Sequence, residues 1–261
     1  MIPPAIHLVF LFILGCFFGS FLNVLIDRLP RGEDVLISRS KCDYCKKILK
    51  PFDLIPLLSF LLLWGKCRYC RHRLSRQYPL IEALTGFIFA SLYFYTILSG
   101  SGNIGYFIFL ILVFCQFLVI YITDLKERII PDEINLTLLL TVAIYRLFLT
   151  PEPFLPYLVS GFLFSLFFLI LVFMTKGKGM GIGDVKFAFI MGLFLGYPKI
   201  LIAFYLAFLT GAAVSLILVI AGKKRMKSTI AFGPFLIAAT VVSYIWGQEL
   251  YIRLIHFINL V

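Results

Sequence analysis

Most of the 13 acidic residues in this 261-residue chain sit in plainly polar stretches. Two at the edges of apolar runs could do chemistry together. Asp124 closes one run, in Tyr121-Ile122-Thr123-Asp124-Leu125-Lys126, and Asp184 opens another, in Gly181-Ile182-Gly183-Asp184-Val185-Lys186. A carboxylate at the edge of a hydrocarbon layer is expensive, so its default reading is functional. Two carboxylates brought together cannot both ionise cheaply. One holds a proton while the other acts as base, and the pair can activate water against a peptide carbonyl. Any titration then belongs to the pair. Four of the seven residues 177–183 just before Asp184 are glycines, and glycine lets another backbone approach closely. Gly181, Gly183 and Lys186 therefore join Asp184 as a supporting loop. The alternative readings are a solvated loop acid for Asp184 and a stop signal paired with Lys126 or Arg128 for Asp124. Asp132 and Glu133, after Pro131, read as helix-capping residues.

Four of the six cysteines form a second chemical motif, Cys42-x-x-Cys45 and Cys67-x-x-Cys70, with 21 residues between the pairs. Two such knuckles read as a structural zinc site, each offering two thiolates to one tetrahedral ion. Free thiols or a redox pair are the alternatives. A reducing cytoplasm argues against disulfides. Nearby Lys41, Lys46, Lys47, Lys66, Arg68 and Arg71 favour thiolates. Cys16 and Cys115 lie inside apolar runs and read as packing.

These groups must be positioned by a membrane scaffold. Hydrophobic residues make up 61% of the chain and charged ones 14%, which excludes an ordinary soluble domain. Apolar runs predict an all-α polytopic protein with about eight spans: Pro4–Ile26, Pro79–Leu98, Asn103–Thr123, Ile134–Leu149, Phe154–Met174, Val185–Leu195, Ile200–Ala221 and Ile230–Trp246. The sixth is too short to cross a bilayer upright, and it reads as sunk in protein or thinning the bilayer. A tail, Gln248–Val261, is expected along the outer interface. Three regions follow: a first transmembrane helix (1–27), a cytoplasmic cysteine module (28–77) and a bundle carrying the two aspartates (78–261). No internal repeat is visible.

Charge sets the orientation. The net charge is +11, and 12 of the 24 basic residues fall between Arg28 and Arg76. With that segment in the cytoplasm, the loops Asp124–Glu133, Lys176–Lys186 and Gly222–Lys227 also fall inside. Only Arg146, Lys199 and Arg253 remain outside. Both termini are then external, and both aspartates lie at the cytoplasmic face. The excess of basic residues needs no nucleic acid, since no basic run has the aromatic interleaving of a single-strand binder. Ile13-Leu14-Gly15-Cys16 is similar to a lipoprotein cleavage site, but no basic residue precedes it, so the first span reads as uncleaved. Between the cysteine pairs, the run Leu54–Trp64 is too short to span. It reads as an interfacial dip or as the module's own core.

Taken together these residues resemble the bacterial type IV prepilin leader peptidases, over nearly the whole chain. The resemblance is carried by Gly19-Ser20-Phe21-Leu22-Asn23-Val24 with Arg28-Leu29-Pro30, the cysteine module with Ile55-Pro56-Leu57-Leu58-Ser59, and Tyr78-Pro79-Leu80-Ile81-Glu82-Ala83. Asp124 with Ile130-Pro131-Asp132, the G-x-G-D stretch ending at Asp184, and Phe232-Gly233-Pro234-Phe235 complete it. One departure is Asp43, where proline commonly follows the first cysteine. The resemblance implies a membrane aspartic peptidase of the bacterial cytoplasmic membrane, with Asp124 and Asp184 as the catalytic pair. It would remove the short basic leader of prepilins or pseudopilins. The resemblance also implies methylation of the new N-terminal amine from S-adenosylmethionine by the N-terminal half. Glu82, Asn23 and Arg28 are the candidates there, each equally readable as helix-end structure. Two rivals predict other features. An intramembrane protease of the presenilin or signal-peptide-peptidase type usually carries tyrosine before its first aspartate, where Thr123 stands here, and a Pro-Ala-Leu motif, which is absent. A cation or proton transporter places its acids near span centres rather than span ends.

Overall fold

In the computed structural model, residues 4–35, 38–98, 102–177, 180–222 and 231–259 are described. Lys178 and Gly179 of the glycine stretch, and Lys223, Lys224, Arg225 and Lys227 of the last basic loop, lie outside the described residues. The described residues form helices α1 (Pro4–Arg28), α2 (Leu58–Leu62), α3 (Gln77–Leu98), α4 (Ile104–Glu127) and α5 (Asp132–Ile144). These are followed by α6 (Phe154–Thr175), α7 (Ile182–Leu195), α8 (Lys199–Ile220) and α9 (Gly233–Asn259). Six of them, α1, α3, α4, α6, α8 and α9, are long and apolar enough to cross a membrane. The protein is an all-α, multi-pass membrane protein. The two other predicted spans are helices of 13 and 14 residues, α5 and α7, with α5 running on through a five-residue π-turn, Tyr145–Leu149. The predicted outer tail is not a separate element. No proline interrupts Gln248–Asn259, and α9 continues through it. The chain divides into two compact units, Met1–Cys115 and Gln116–Val261.

In the first unit, α1 and α3 form a tight antiparallel hairpin. A Cβ on Gly15 would lie 2.7 Å from Gly86 Cα, and one on Gly19 would lie 2.7 Å from Glu82 Cα. Small residues let two helix backbones meet where no hydrophobic effect drives association. The polar end of the hairpin is stitched by Asn23, which donates to the carbonyls of Gly19 and Tyr78 at 3.2 Å each, and by Tyr78, which donates to Asp27 at 3.1 Å.

The cysteine module emerges at that end. Contrary to the sequence reading, it contains a repeat of period 25. Bridges pair Lys41 with Ile48 and Lys66 with Arg73. The amides of Cys42 and Cys67 donate to the carbonyls of Lys47 and His72, at 2.9 and 2.8 Å. Lys46 and Arg71 turn the chain with positive φ, 59° and 58°. The side chains repeat as well: Lys41, Cys42, Tyr44, Cys45 and Leu49 recur as Lys66, Cys67, Tyr69, Cys70 and Leu74. Asp53 ties the two halves, accepting from Arg68 at 2.6 Å.

In the second unit, α7 is the buried element. Beyond Lys186 its side chains are apolar all round, as a helix enclosed by protein requires, and Phe187, Ala188, Leu193 and Phe194 are almost fully buried. Gly192 meets Gly161 of α6 so closely that a Cβ would lie 2.5 Å from Gly161 Cα. Enclosure by protein explains how so short a helix persists: it contacts protein instead of lipid. Phe168, Phe204, Phe208 and Phe232 pack edge-to-face or tilted. That cluster fixes the chain just before α9.

Candidate active site and metal centre

Asp124 lies in the last turn of α4 and Asp184 in the first turn of α7, both buried. Their carboxyl groups are near enough to interact electrostatically. Each is held by a backbone amide. The Gly233 N–H, opening α9, donates to Asp124 Oδ2 at 2.8 Å. The Gly181 N–H donates to Asp184 Oδ2 at 3.0 Å. Amide donors fix the carboxylates without adding a competing cation. Arg128, in a left-handed turn capping α4, is close enough to act on Asp124 through its charge.

The glycines act here by what they leave open. Gly181 is extended (φ −87°, ψ 161°), a conformation any residue adopts, and a Cβ there meets nothing nearer than 3.8 Å. Gly183 faces Ile130, 3.2 Å from a built Cβ. Gly233 is the tightest: a Cβ would stand 2.7 Å from Asp124 Oδ2. The sequence reading quoted Gly233 only as part of a resemblance and assigned it no role. The available signal was a Gly-Pro pair at the head of the last apolar run.

Lys186 is half-exposed and pairs with Asp132 at 2.7 Å. Asp132 and Glu133 do occupy the first turn of α5, yet no side chain caps that helix. The Asp132 carboxylate spans to α7 instead. With Ile130 against Gly183, this pair clasps the segment after Asp124 to the turn that carries Asp184.

The four module cysteines converge. Their sulfurs all lie within 4.8 Å of one another, with Cys42 and Cys70 Sγ 3.9 Å apart. Bonds of about 2.3 Å in a tetrahedron require sulfurs about 3.8 Å apart, so the set fits one metal ion. Burial alone pushes the Cys67 thiol up. The N–H groups of Cys70 and Tyr69 and the neighbouring thiols outweigh it and bring it down to about 7. Cys42→Ser or Cys67→Ser is expected to lower bound metal by about one ion per chain, read by elemental analysis of the purified protein.

The methyl-transfer candidates part company. Asn23 belongs to the α1–α3 stitch. Glu82, buried in α3, accepts from the Leu57 N–H at 2.8 Å. Arg28 grips the following loop, donating to the carbonyls of Asp34 and Ser38 at 3.0 and 2.9 Å.

Known proteins bear on this arrangement. The profile of the bacterial peptidase A24 N-terminal domain matches residues 13–96, and that of the type IV leader peptidase family matches residues 110–216. A prepilin leader peptidase/N-methyltransferase of Bacillus subtilis is 32% identical over 242 residues, covering 92% of this chain and 94% of the relative. The chain belongs to the type IV leader peptidase family. Proteins of the same name from Burkholderia pseudomallei and Aeromonas hydrophila are each 28% identical, covering 97% and 95% of this chain and 90% and 93% of their own lengths. No solved structure matches significantly. In this leader-peptidase family member, Asp124, Asp184 and Gly233 all come from the second unit, while the cysteine module and the α1–α3 hairpin come from the first.

Proposed function

We propose that this chain cleaves the leader of prepilins or pseudopilins through Asp124 and Asp184 and then methylates the new N-terminus. The observation that carries the first step is the buried pair of carboxyls, each anchored by one glycine amide. One carboxylate takes a proton from water as its oxygen attacks the scissile carbonyl carbon. The other carboxyl, protonated, donates to the carbonyl oxygen. Collapse breaks the C–N bond, and the departing amine takes up the proton held by the first carboxyl. Loop charge supports a cytoplasmic location for this chemistry, with both termini outside. The substrate is a transmembrane helix that reaches the enzyme laterally, its basic leader remaining in the cytoplasm.

In the second step the free amine attacks the methyl of S-adenosylmethionine, a co-substrate. The S–CH3 bond breaks and the amine loses a proton. Glu82 and Asn23 are retained as candidates for this half. Arg28 is better explained as the grip on residues 34–39. Zinc is the ion that a four-thiolate set suits best. Bound there, it supplies structure: Cys42, Cys45, Cys67 and Cys70 would hold it, and no step of the chemistry passes through it.

The deciding experiment offers the purified protein a prepilin with S-adenosylmethionine and reads the product by mass spectrometry. Loss of the leader with one added methyl is expected. Cleavage without methylation removes the second activity, and an intact prepilin overturns both.

The Lys186–Asp132 clasp gives a separate test. An ion pair this exposed contributes only about 0–1 kcal/mol to stability, so its rupture should spare the fold. Lys186→Asp or Asp132→Lys alone is expected to lower kcat about tenfold with a smaller change in KM. The exchanged double variant should recover most of that loss. Equal losses in the single and double variants would refute positioning by the pair.

A further inference from the structure

The segment between the two knuckles has an unusual surface. Pro51–Leu54 makes one 3-10 turn, and α2 follows within a few residues. Phe60 turns inward, its ring 2.8 Å from a Cβ built on Gly65. Leu58, Leu61, Leu62 and Trp64 turn outward. Leu61 and Leu62 are each 70% exposed and Trp64 is 88% exposed. These four residues are therefore not the module's core. A contiguous apolar knob of this kind marks a contact surface.

Its depth along the hairpin is set by one hydrogen bond. Leu57, immediately before α2, donates its N–H to Glu82 at 2.8 Å and stands at the centre of a tight turn, φ 59° and ψ −48°. Glu82 lies five residues inside α3, which begins at Gln77. At 1.5 Å per residue that is about 7–8 Å along the transmembrane helix from its polar end. The segment that carries the knob is therefore fastened to the hairpin within the first turns of α3. Exposed Lys50 and Lys66 bracket the segment on the polar side. Between Arg28 and Arg76, 12 basic residues face only Glu33, Asp34, Asp43 and Asp53.

We propose that the knob is a re-entrant membrane anchor, with Leu58, Leu61, Leu62 and Trp64 inserted among the acyl chains at the bilayer interface. The basic residues around it contact anionic headgroups. An apolar tip with an aromatic residue at headgroup level and lysines behind it is the chemistry of interfacial insertion. Juxtamembrane basic residues strengthen attachment to an anionic leaflet. Glu82 is then a tether: a buried acid in a transmembrane helix whose partner is the backbone of the inserting segment. The apolar exposure, the charge and the attachment to a transmembrane helix all match a lipid partner. A protein partner accounts for the first alone.

The protein has two tryptophans, so Trp246→Phe leaves Trp64 as the only indole. The full-length variant is reconstituted into phosphatidylcholine–phosphatidylglycerol vesicles carrying lipids brominated near the headgroup end or deep in the acyl chain. The anchor predicts blue-shifted Trp64 emission, most of it lost to the shallow bromines and little to aqueous iodide. Emission typical of water, quenched by iodide and indifferent to bromine, would overturn it. So would blue-shifted emission that neither agent quenches, since the knob would then be covered by protein. Adding Glu82→Ala, with metal content as the check on folding, is expected to restore iodide quenching. Unchanged bromine quenching in that variant would remove the tether.

Discussion

Asp124→Asn and Asp184→Asn each reduce leader cleavage by about 10²–10⁴-fold, the range for losing a general acid or base. Each substitution is nearly isosteric. The new amide oxygen still accepts from the Gly233 or Gly181 N–H, so the hydrogen bonds that hold both side chains survive. The fold is expected to stay intact, checked by thermal unfolding and metal content. The double variant should be little worse than either single one, because two groups acting as one unit lose their effect once. Multiplying losses would mean that the residues act independently. Full activity in either single variant would remove the pair as the catalytic centre. Methylation of a pre-cleaved pilin should persist in all three variants if the second activity resides in the N-terminal half.

Gly233→Ala tests the same site through its steric frame. The added Cβ would fall 2.7 Å from Asp124 Oδ2 and 3.1 Å from Cγ, so the carboxyl must move. Gly233 does not have a positive φ, and alanine suits the helix start it occupies. The cost is therefore local. A displacement on the order of 1 Å at a reacting group lowers rate by about 10²-fold, so kcat should fall by that order with little change in melting temperature. Gly181→Ala is the contrast. Its Cβ meets no atom within 3.8 Å in the free enzyme, and any effect arises only when substrate occupies that space. It should raise KM and leave the fold untouched. A reversed pattern, with KM changed by Gly233→Ala and kcat by Gly181→Ala, would contradict the roles given to these two glycines.

Much of this was legible from polarity alone. Asp124 and Asp184 stand out because their neighbours are apolar, and a hydropathy window marks the six long helices for the same reason. Length arithmetic marked α7 as too short to cross upright and left it either sunk in protein or thinning the bilayer; its burial selects the first. Other features were hidden for identifiable reasons. Gly233 lies 109 residues from Asp124, and a backbone N–H has no signature in a side-chain alphabet. Asp132 after Pro131 reads as a capping residue, and only the folded chain brings Lys186 to it. The module's repeat was in plain view as Lys-Cys-x-Tyr-Cys at 41–45 and 66–70, and it was missed because only the cysteines were weighed, as metal ligands. The run of α9 on through the expected tail was not foreseen, because hydropathy marks where an apolar stretch ends and not where its helix does.

The twin knuckles have a mechanical consequence. One ion bound by Cys45 and Cys67 turns the 21 residues between them into a closed ring. α2 and Trp64 ride on that ring, and the Leu57–Glu82 bond fastens it at a third point. Ring closure removes conformational entropy from the open chain, so the ordered shape of the loop is maintained at lower cost once the metal is in place. Metal occupancy and the posture of the apolar knob thus form one coupled equilibrium: a chelator acting on the sulfurs loosens residues that touch no metal at all.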